Sequence, residues 1–268
     1  MSKKRILFIT QEMNPYTTIS EISEKVRALA PHVQGGDIEI RVLMPKYGII
    51  NERRHRLHEV VRLSGMNIIV DDDDFPLIIK VASLPGARLQ VYFLDNEEFF
   101  KRKFVFNDKE EKPFDDNQDR MVFFCKGVIE TVKKFGWSPD IVHCNGWFTA
   151  LVPLFLKKVY THDPVFESSK IVFSMFKDEY SQHFTERFFD IARINELEEA
   201  DIAPFKDGDK VLLNQGAIAY SDAVIKDSQE LTDGENKAWE DTELPKLDFF
   251  ADEEYKKESL DFFKGLLE

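Results

Sequence analysis

Apolar residues in the first part of the chain form short runs that alternate with a stretch of helical spacing. Residues 6–9 (ILFI) and 38–44 (IEIRVLM) are largely apolar, as expected of strands buried on both faces. Between these runs, apolar residues recur every three or four positions, at Ile19, Ile22, Val26 and Leu29. A strand, a helix and a second strand in this order predict a βαβ unit, the start of a doubly wound parallel sheet.

The spacing of the apolar residues changes between residues 45 and 93. Four short strand-like runs, residues 57–63, 67–70, 77–83 and 88–93, are separated by turn residues. They predict β-hairpins inserted into the sheet over about residues 49–93. The four aspartates at 71–74 are interpreted as a solvated turn, because a cation site needs liganding oxygens spread through a loop.

The α/β alternation then resumes, and it is followed by an acidic tail. Helices are predicted over residues 118–135, 147–160, 186–199 and 208–220, and strands over 140–144, 170–175 and 223–225. Residues 227–248 show little periodicity and are predicted to form an irregular surface segment. An amphipathic helix is expected over 252–267, with its apolar side at Tyr255, Leu260, Phe263 and Leu267. The chain is therefore interpreted as one Rossmann-like α/β domain (1–226) with an acidic extension (227–268) whose terminal helix docks on the domain.

Charge narrows the classes of function. The chain has 36 Lys and Arg against 49 Asp and Glu, a formal net charge of −13. This balance argues against nucleic acid or an anionic membrane as a partner, because both attract basic surfaces. No apolar run is long enough to span a membrane. The only cysteines, Cys125 and Cys144, are interpreted as reduced thiols of a cytoplasmic protein.

Ligands of such sheets bind beyond the carboxyl ends of the strands. Polar side chains expected there that could hydrogen-bond a polyhydroxylated ligand are Asp95, Asn96, Asp116 and Asn117. Aromatic side chains that could stack on a sugar ring are Tyr16, Tyr47 and Trp147. Two alternatives stay open: Asp116 and Asn117 can instead cap the helix that follows them, and Trp147 can belong to the core.

The sequence offers few other candidate groups for metal binding, cofactor binding or catalysis. The six histidines share no liganding spacing, so neither a metal site nor a cofactor is predicted. His143, at the end of a strand, is interpreted as a structural imidazole. The basic run at residues 53–56 (RRHR) is either a solvated loop or a phosphate contact.

Several segments resemble the N-terminal domain of bacterial glycogen synthase and plant starch synthase. They include residues 4–15 (KRILFITQEMNP), 42–48 (VLMPKYG), 91–100 (VYFLDNEEFF), 116–124 (DNQDRMVFF) and above all 136–156 (GWSPDIVHCNGWFTALVPLFL). The match extends to about residue 225, and the chain is most similar to the short, one-domain form found in Bacteroidetes. The resemblance implies one Rossmann-like half of a GT-B glycosyltransferase, the half that receives an α-1,4-glucan acceptor, with ADP-glucose as the donor.

The chain departs from the motifs of this family at the donor side. The family motif K-T-G-G-L-G-D corresponds to seven residues here: Thr18, Ile19, Ser20, Glu21, Ile22, Ser23 and Glu24. The motif H-C-H-D-W-H-T becomes His143, Cys144, Asn145, Gly146, Trp147, Phe148 and Thr149. The resemblance implies that a lysine facing the phosphates is replaced by Thr18 and that two imidazoles are replaced by Asn145 and Phe148. Asn145 can still hydrogen-bond a sugar hydroxyl, although it cannot transfer protons near neutral pH.

These departures lead to a functional expectation with alternatives. The chain is expected to serve α-1,4-glucan synthesis but to be inactive alone, because the donor domain would have to come from a separate partner chain. The alternative is a non-catalytic protein that binds glucan or a synthase partner. A Rossmann-like domain reused for an unrelated ligand is a third hypothesis, because a fold does not define a function.

Overall fold

A computed structural model describes residues 3–251 and 253–268 of the chain. Its strands are β1 (Lys4–Thr10), β2 (Ile38–Pro45), β3 (His58–Glu59), β4 (Met66–Val70), β5 (Asp73–Ser83), β6 (Gln90–Asp95), β7 (Ile141–Asn145), β8 (Lys170–Met175), β9 (Lys206–Asp207), β10 (Lys210–Val211), β11 (Ala223–Lys226) and β12 (Lys246–Leu247). Its α-helices are α1 (Ile22–Val33), α2 (Glu52–His55), α3 (Glu97–Phe100), α4 (Asn117–Phe135), α5 (Leu151–Leu154), α6 (Arg187–Ala192), α7 (Glu199–Ile202), α8 (Leu213–Ala219), α9 (Asp233–Asp241) and α10 (Glu254–Leu267).

Ten strands form one sheet in the order β12-β11-β8-β7-β1-β2-β6-β5-β3, with β4 paired to β5 outside this order. All neighbours from β12 to β6 are parallel, whereas β5 runs antiparallel to β6, β3 and β4. Residues 6–10 of β1 are all buried although alternate side chains face opposite sides, so both faces of the sheet are covered. The predicted Rossmann-like α/β fold is confirmed.

The antiparallel edge of the sheet, where β3, β4 and β5 lie, matches the predicted insertion only in part. The run at 88–93 belongs to β6, which pairs antiparallel with β5 as the predicted hairpin. It also pairs with β2 in parallel, with Val42 opposite Val91, and this second pairing was not predicted. Among the described residues, the antiparallel pairs of the large sheet are β3–β5, β4–β5 and β5–β6, and β9 and β10 form a separate antiparallel pair. Asp71 lies in the turn between β4 and β5 with a φ of 58°, whereas Asp73 and Asp74 already belong to β5.

Four predicted helices differ from their patterns. The run at 147–160 is helical, but it divides into a 3₁₀ turn (Trp147–Thr149), α5 and a π-helical segment (Phe155–Val159). Helix α1 begins at Ile22, and Ile19 lies outside it with 41% of its surface exposed. The run at 186–199 is helical only over α6, and Asn195 beyond it has a φ of 53°, which a helix does not allow. Within 208–220, the first residues form β10 and only α8 is helical.

The acidic extension is more ordered than predicted. The segment expected to be irregular, residues 227–248, contains α9, which begins with a capping box between Thr232 and Glu235, and β12, which pairs with β11. Helix α10 then docks on the sheet as expected. Its Phe263 is fully buried, with ring centroids 6.2 Å from Phe8 and 5.1 Å from His143. The division at residue 226 stays a prediction.

Candidate functional site

The chain reverses direction across the sheet between β1 and β7. Strands β2 and β6 lie on one side of β1, and β7, β8, β11 and β12 lie on the other. Ligands of doubly wound sheets bind in the crevice at such a point, beyond the carboxyl ends of the strands. A cavity of about 620 Å³ lies there. We call it the switch-point pocket; its lining is Gln11, Ile19, Ser20, Glu21, Ile22, Asn107, Trp147, Phe176, Lys177, Glu179, Tyr180, Ser228, Gln229 and Glu230.

A buried carboxylate organises the loop between β1 and α1. Glu12 is fully buried and accepts hydrogen bonds from the backbone N–H of Ile19 and of Ser20, and from Ser20 Oγ at 2.5 Å. Burial raises the pKa of Glu12 above its ordinary value, while these donors act in the opposite direction. Because the two N–H groups point at Glu12, the segment before Ile22 folds onto this side chain rather than extending the helix.

The opposite wall is aromatic. Gly146 has a φ of 77°, and a Cβ there would come within 2.6 Å of Ile22 Cδ1, so a side chain would collide with α1. The chain then enters a short 3₁₀ turn with Trp147, which is only 3% exposed. Tyr180 stacks on the Trp147 ring at a centroid distance of 4.7 Å. The half-buried Tyr180 and the buried Trp147 therefore form one aromatic wall of the pocket.

Three buried polar atoms around the pocket have no hydrogen-bond partner among the described residues. They are the acceptors Gln11 Oε1 and Asn107 Oδ1 and the donor Trp147 Nε1. A buried polar atom without a partner carries a desolvation cost, so such groups usually meet a ligand or an ordered water. Two acceptors and one donor match the hydroxyl groups of a sugar, which donate and accept with the same atom.

The segment after β11 forms the third wall. Ser228 Oγ donates to Glu21 Oε1 at 2.6 Å, and Lys25 Nζ lies 3.1 Å from Asp227 Oδ1. The Lys25 ammonium also lies over the ring of Phe249 at 4.6 Å. These contacts tie the acidic extension to the start of α1, so residues 228–230 stay at the pocket.

The charged lining residues give the pocket an excess of negative charge. Three carboxylates (Glu21, Glu179 and Glu230) face one ammonium, that of Lys177. An anionic ligand would therefore be repelled, although salt weakens the effect at exposed groups. A neutral ligand would meet no such penalty.

Some predicted residues meet at this pocket and others lie near it. Ser20, Glu21 and Trp147 line it. Thr18 is exposed on the loop before them. Asn145 lies at the end of β7, only 2% exposed, and its Nδ2 donates to the carbonyls of Ile9 and His143. Phe148 is fully buried against Phe124.

Of five other predicted ligand residues, four are bonded to groups within the protein and the fifth, Tyr47, is buried. Asp95 lies 2.8 Å from Lys80 Nζ, and Asn96 caps α3 by accepting from the N–H of Glu98 and Phe99. Tyr47 is 1% exposed; burial raises its pKa well above the ordinary value, and its hydroxyl has no partner among the described residues.

The remaining two lie at the start of α4. Asp116 forms a two-pronged ion pair with Arg102 and no capping bond, so the capping alternative is wrong for this side chain. Asn117 is buried, donates to the Phe106 carbonyl and accepts from Arg120. None of these five residues lines the switch-point pocket.

Sequence reasoning missed Gln11, Asn107 and Tyr180. Gln11 directly follows β1, which the rule for strand ends could have found. Asn107 and Tyr180 lie in irregular segments of the chain, where no period marks a residue as functional. Their positions depend on contacts far along the chain, such as the packing of Tyr180 on Trp147.

A larger cavity of about 720 Å³ adjoins the pocket through Lys177 and Glu179. Two of its acidic groups, Asp178 and Glu235, are engaged within the protein. Asp178 accepts from the N–H of Tyr180 and Ser181, and Glu235 accepts from Asn214 at 2.5 Å. Burial raises the pKa of Asp178 above its ordinary value. We attribute this cavity to the packing of α8 and α9 and place the candidate site at the switch point.

Two further features concern the described residues only. No group of three or more His, Cys, Asp or Glu side chains in this part of the chain could hold a metal ion. None of its helices combines the length and the apolar character needed to cross a membrane.

The sheet order and the pocket at its switch point define a Rossmann-like α/β domain of the kind that forms half of a glycosyltransferase. The family model of the starch synthase catalytic domain matches residues 5–234. The chain therefore belongs to the starch synthase catalytic domain family.

Curated relatives carry the name glycogen synthase. The chain is 33% identical over 230 residues to that of Chlorobium limicola, covering 85% of this chain and 46% of the relative. It is 38% identical over 172 residues to that of Pelodictyon phaeoclathratiforme, covering 64% and 35% respectively. The chain thus spans less than half the length of these relatives.

A solved structure confirms the fold. The catalytic domain of starch synthase IV from Arabidopsis thaliana, bound to ADP and acarbose, superimposes with a TM-score of 0.71 at 22% sequence identity. The match covers 85% of this chain and 45% of that one.

Proposed function

We propose that this chain binds α-1,4-glucan at the switch-point pocket and serves as the acceptor side of glucosyl transfer from ADP-glucose. The observation that carries this proposal is the convergence of Gln11 Oε1, Asn107 Oδ1 and Trp147 Nε1, all buried and without a partner among the described residues. A glucan hydroxyl can donate to either acceptor or accept from the indole N–H. Tyr180 offers a partly exposed ring for an apolar sugar face.

The donor nucleotide is expected to depend on residues outside the described part of this chain. The N–H groups of Ile19 and Ser20, near the start of α1, donate to Glu12 and are not available to a phosphate. The excess of carboxylates in the pocket opposes a diphosphate as well. A donor domain or a separate synthase chain would have to supply the positive charge that stabilises the leaving diphosphate. The described residues alone are therefore expected to be inactive.

The proposed location is the cytoplasm, where glycosyl nucleotides and reduced thiols coexist. Cys125 and Cys144 are both buried and free, in keeping with reduced thiols. Burial raises the pKa of each thiol above its ordinary value, so neither is activated as a nucleophile.

A non-catalytic glucan-binding role is the second candidate. It is favoured by the hydrogen bond between Glu21 and Ser228. Glu21 stands where the family motif has a glycine, and this bond joins it to the chain segment that lines the pocket. In this role the protein would hold glucan without contributing to transfer, even beside a donor chain.

Glucan binding is tested by retardation in native gels that contain glycogen. Trp147→Phe removes the indole N–H but keeps an aromatic ring, and we expect it to weaken binding about fivefold, because one hydrogen bond contributes about 1 kcal/mol. Tyr180→Ala is expected to weaken binding about tenfold through the lost stacking surface.

The matched control for this test is Trp137→Phe. The Trp137 indole N–H donates to Glu39 Oε1 at 3.2 Å, and Trp137 does not line the pocket. Equal retardation of Trp147→Phe, Tyr180→Ala and the wild-type protein, with all variants folded, would remove the switch-point pocket from the proposal.

Transfer is tested separately by the incorporation of glucose from ADP-glucose into glycogen. We expect no incorporation by the purified chain and incorporation when cell extract supplies a donor chain. Retardation without incorporation in either assay would favour the non-catalytic role. Incorporation by the purified chain alone would contradict the expected inactivity.

A further inference from the structure

A third cavity, of about 610 Å³, lies at the antiparallel edge of the sheet. It shares no lining residue with the switch-point pocket. It is lined by two arginines, Arg54 and Arg56, and two histidines, His55 and His58, and no carboxylate is part of its lining. The lining also includes the polar side chains of Ser83 and Gln90. We call this cavity the basic groove.

Local geometry brings these residues together. Helix α2 ends at Arg56, which has a φ of 54° and donates its N–H to the carbonyls of Glu52 and Arg53. This left-handed residue reverses the chain, so that His58 on β3 pairs with Val81 on β5. The last residue of β5, Ser83, pairs in turn with Gln90 at the start of β6. Four basic side chains therefore face the end of one strand and the beginning of the next.

The wall of the groove is supported by Tyr16. Its hydroxyl donates to the Ser83 carbonyl at 3.2 Å, and its ring meets the His55 imidazole edge-on at a centroid distance of 5.0 Å. Burial raises the pKa of Tyr16 to about 12, so the hydroxyl remains a donor at neutral pH. Arg27 of α1 adds a further guanidinium beside the groove, donating to the Pro85 carbonyl at 2.9 Å.

The positive charge in the groove has no counter-charge. No side chain of Arg54, His55, Arg56 or His58 forms an ion pair or a hydrogen bond with the residues that the structure describes. Glu52, the acidic residue of α2, is instead held by Lys46 at 2.8 Å and by Lys80 at 2.7 Å. Such a cluster is unexpected in a protein of net charge −13, where carboxylates outnumber cations.

We propose that the basic groove binds the phosphate group of a small phosphorylated molecule. Arginine guanidinium groups form two parallel hydrogen bonds to a phosphate, and an imidazole N–H adds a further donor. Gln90 Oε1 already accepts from the Tyr92 hydroxyl at 2.9 Å, which leaves the Gln90 Nε2 hydrogens for a ligand. The groove is large enough for a sugar phosphate. This inference does not depend on glucan binding at the switch-point pocket.

The test is titration calorimetry on the full chain at constant ionic strength, with inorganic phosphate, ribose 5-phosphate and ribose as probes. We expect both phosphates to bind with one site per chain and ribose not to bind. Tighter binding of ribose 5-phosphate than of inorganic phosphate would identify a phosphate ester as the ligand, and equal binding would identify free phosphate.

Two double variants that remove the same charge distinguish a specific phosphate site from non-specific electrostatic attraction of phosphate to the protein. Arg54→Gln combined with Arg56→Gln is expected to weaken phosphate binding at least about tenfold, because the bidentate contacts are lost. Arg53→Gln combined with Arg62→Gln removes the same charge from side chains outside the groove and is expected to have less than about a twofold effect.

Two results would overturn the proposal. One is the absence of a binding signal for both phosphates with the wild-type protein. The other is equal weakening by the two double variants, which would indicate a diffuse field rather than a site. Thermal unfolding of each variant checks that these exposed substitutions leave the fold intact.

Discussion

The switch-point pocket and the basic groove have similar volumes, about 620 and 610 Å³, but opposite charge. The pocket combines three carboxylates with buried neutral groups that have no partner in the described residues, whereas the groove presents the exposed guanidinium groups of Arg54 and Arg56. The first environment suits a neutral polyol and the second suits an anion. The comparison shows that the net charge of −13 has the sign of the switch-point pocket but not that of the basic groove.

The two cavities also differ in how they are built. Arg120, beneath the segment that carries Asn107, is fully buried and donates to the carbonyls of Phe99 and Val105 and to Asn117 Oδ1. Burial lowers its pKa to about 10, so the guanidinium stays charged at neutral pH. Arg54 of the groove is exposed and forms no such bonds within the described residues. One arginine is structural, and the other is available to a ligand.

The largest expected effect therefore comes from Arg120→Leu. This change leaves two buried carbonyls and an amide oxygen without their donor, and we expect a loss of about 3–5 kcal/mol in the free energy of unfolding. Urea unfolding measures it. Arg54→Gln serves as the control and should change the same quantity by no more than about 0.5 kcal/mol. Similar losses of unfolding free energy in both variants would contradict the assignment of a structural role to Arg120 alone.

A smaller effect is expected from the buried imidazole of His143. Its Nε2 lies 2.7 Å from Ser174 Oγ, and burial lowers its pKa to about 4. Unfolded chains take up the proton near pH 6.5, so this group destabilises the fold progressively from there down to about pH 4, by a total of about 3 kcal/mol.

The pH test compares the wild-type protein with His143→Gln, which keeps a hydrogen-bond donor for Ser174 but cannot titrate. Between pH 7 and pH 4.5, the wild-type protein should lose about 2–3 kcal/mol more unfolding free energy than the variant. Chemical denaturation at several pH values measures this difference. Parallel curves for the two proteins would contradict a buried neutral imidazole.

The smallest effect concerns the charge of the switch-point pocket. Replacing Glu21, Glu179 and Glu230 by Gln should raise the affinity for ADP about fivefold at low salt, because each exposed carboxylate contributes a few tenths of a kcal/mol. Equilibrium dialysis with ADP measures it. Replacing the exposed Glu167, Glu196 and Glu240 by Gln is the charge-matched control. An equal rise in both triple variants would assign the effect to net charge.

Parts of the fold were predictable because their signals are local. Residues 6–9 and 38–44 lie within β1 and β2, and β8 has the predicted bounds, because a strand buried on both faces needs a continuous apolar run. The helix predicted over 118–135 is α4, which ends at Gly136 in the left-handed conformation. These patterns need no knowledge of distant neighbours.

Other parts depended on pairing between distant segments. The run at 88–93 pairs with β5 as the predicted hairpin partner and also with β2, and its local pattern gives no sign of the second, parallel pairing. The pairing of β12 with β11 is of the same kind, since two residues of strand carry almost no signal. In both cases the tertiary context assigned the strand to its neighbour.

The residues predicted for the candidate site fall into the same two groups, those that local signals identify and those whose role depends on distant neighbours. Ser20, Glu21 and Trp147 were accessible from their motif positions, and all three line the switch-point pocket. Asp95, Asn96 and Asp116 have equally suitable side chains at strand or helix ends, yet Lys80, the α3 backbone and Arg102 engage them. Residue type and position along the chain cannot distinguish a free polar group from one that a distant residue has already bound.

The amino-acid sequence by itself determined the α/β class, the order of most elements, the net negative charge and the family. These properties follow from local apolar patterns and from motifs that can be read in order. Only the tertiary structure decided which polar groups lack partners, that the acidic extension closes the switch-point pocket, and that four basic side chains share one groove. The physical reason is that contacts between residues far apart in the chain decide whether a polar group has a hydrogen-bond partner and how far it is removed from water.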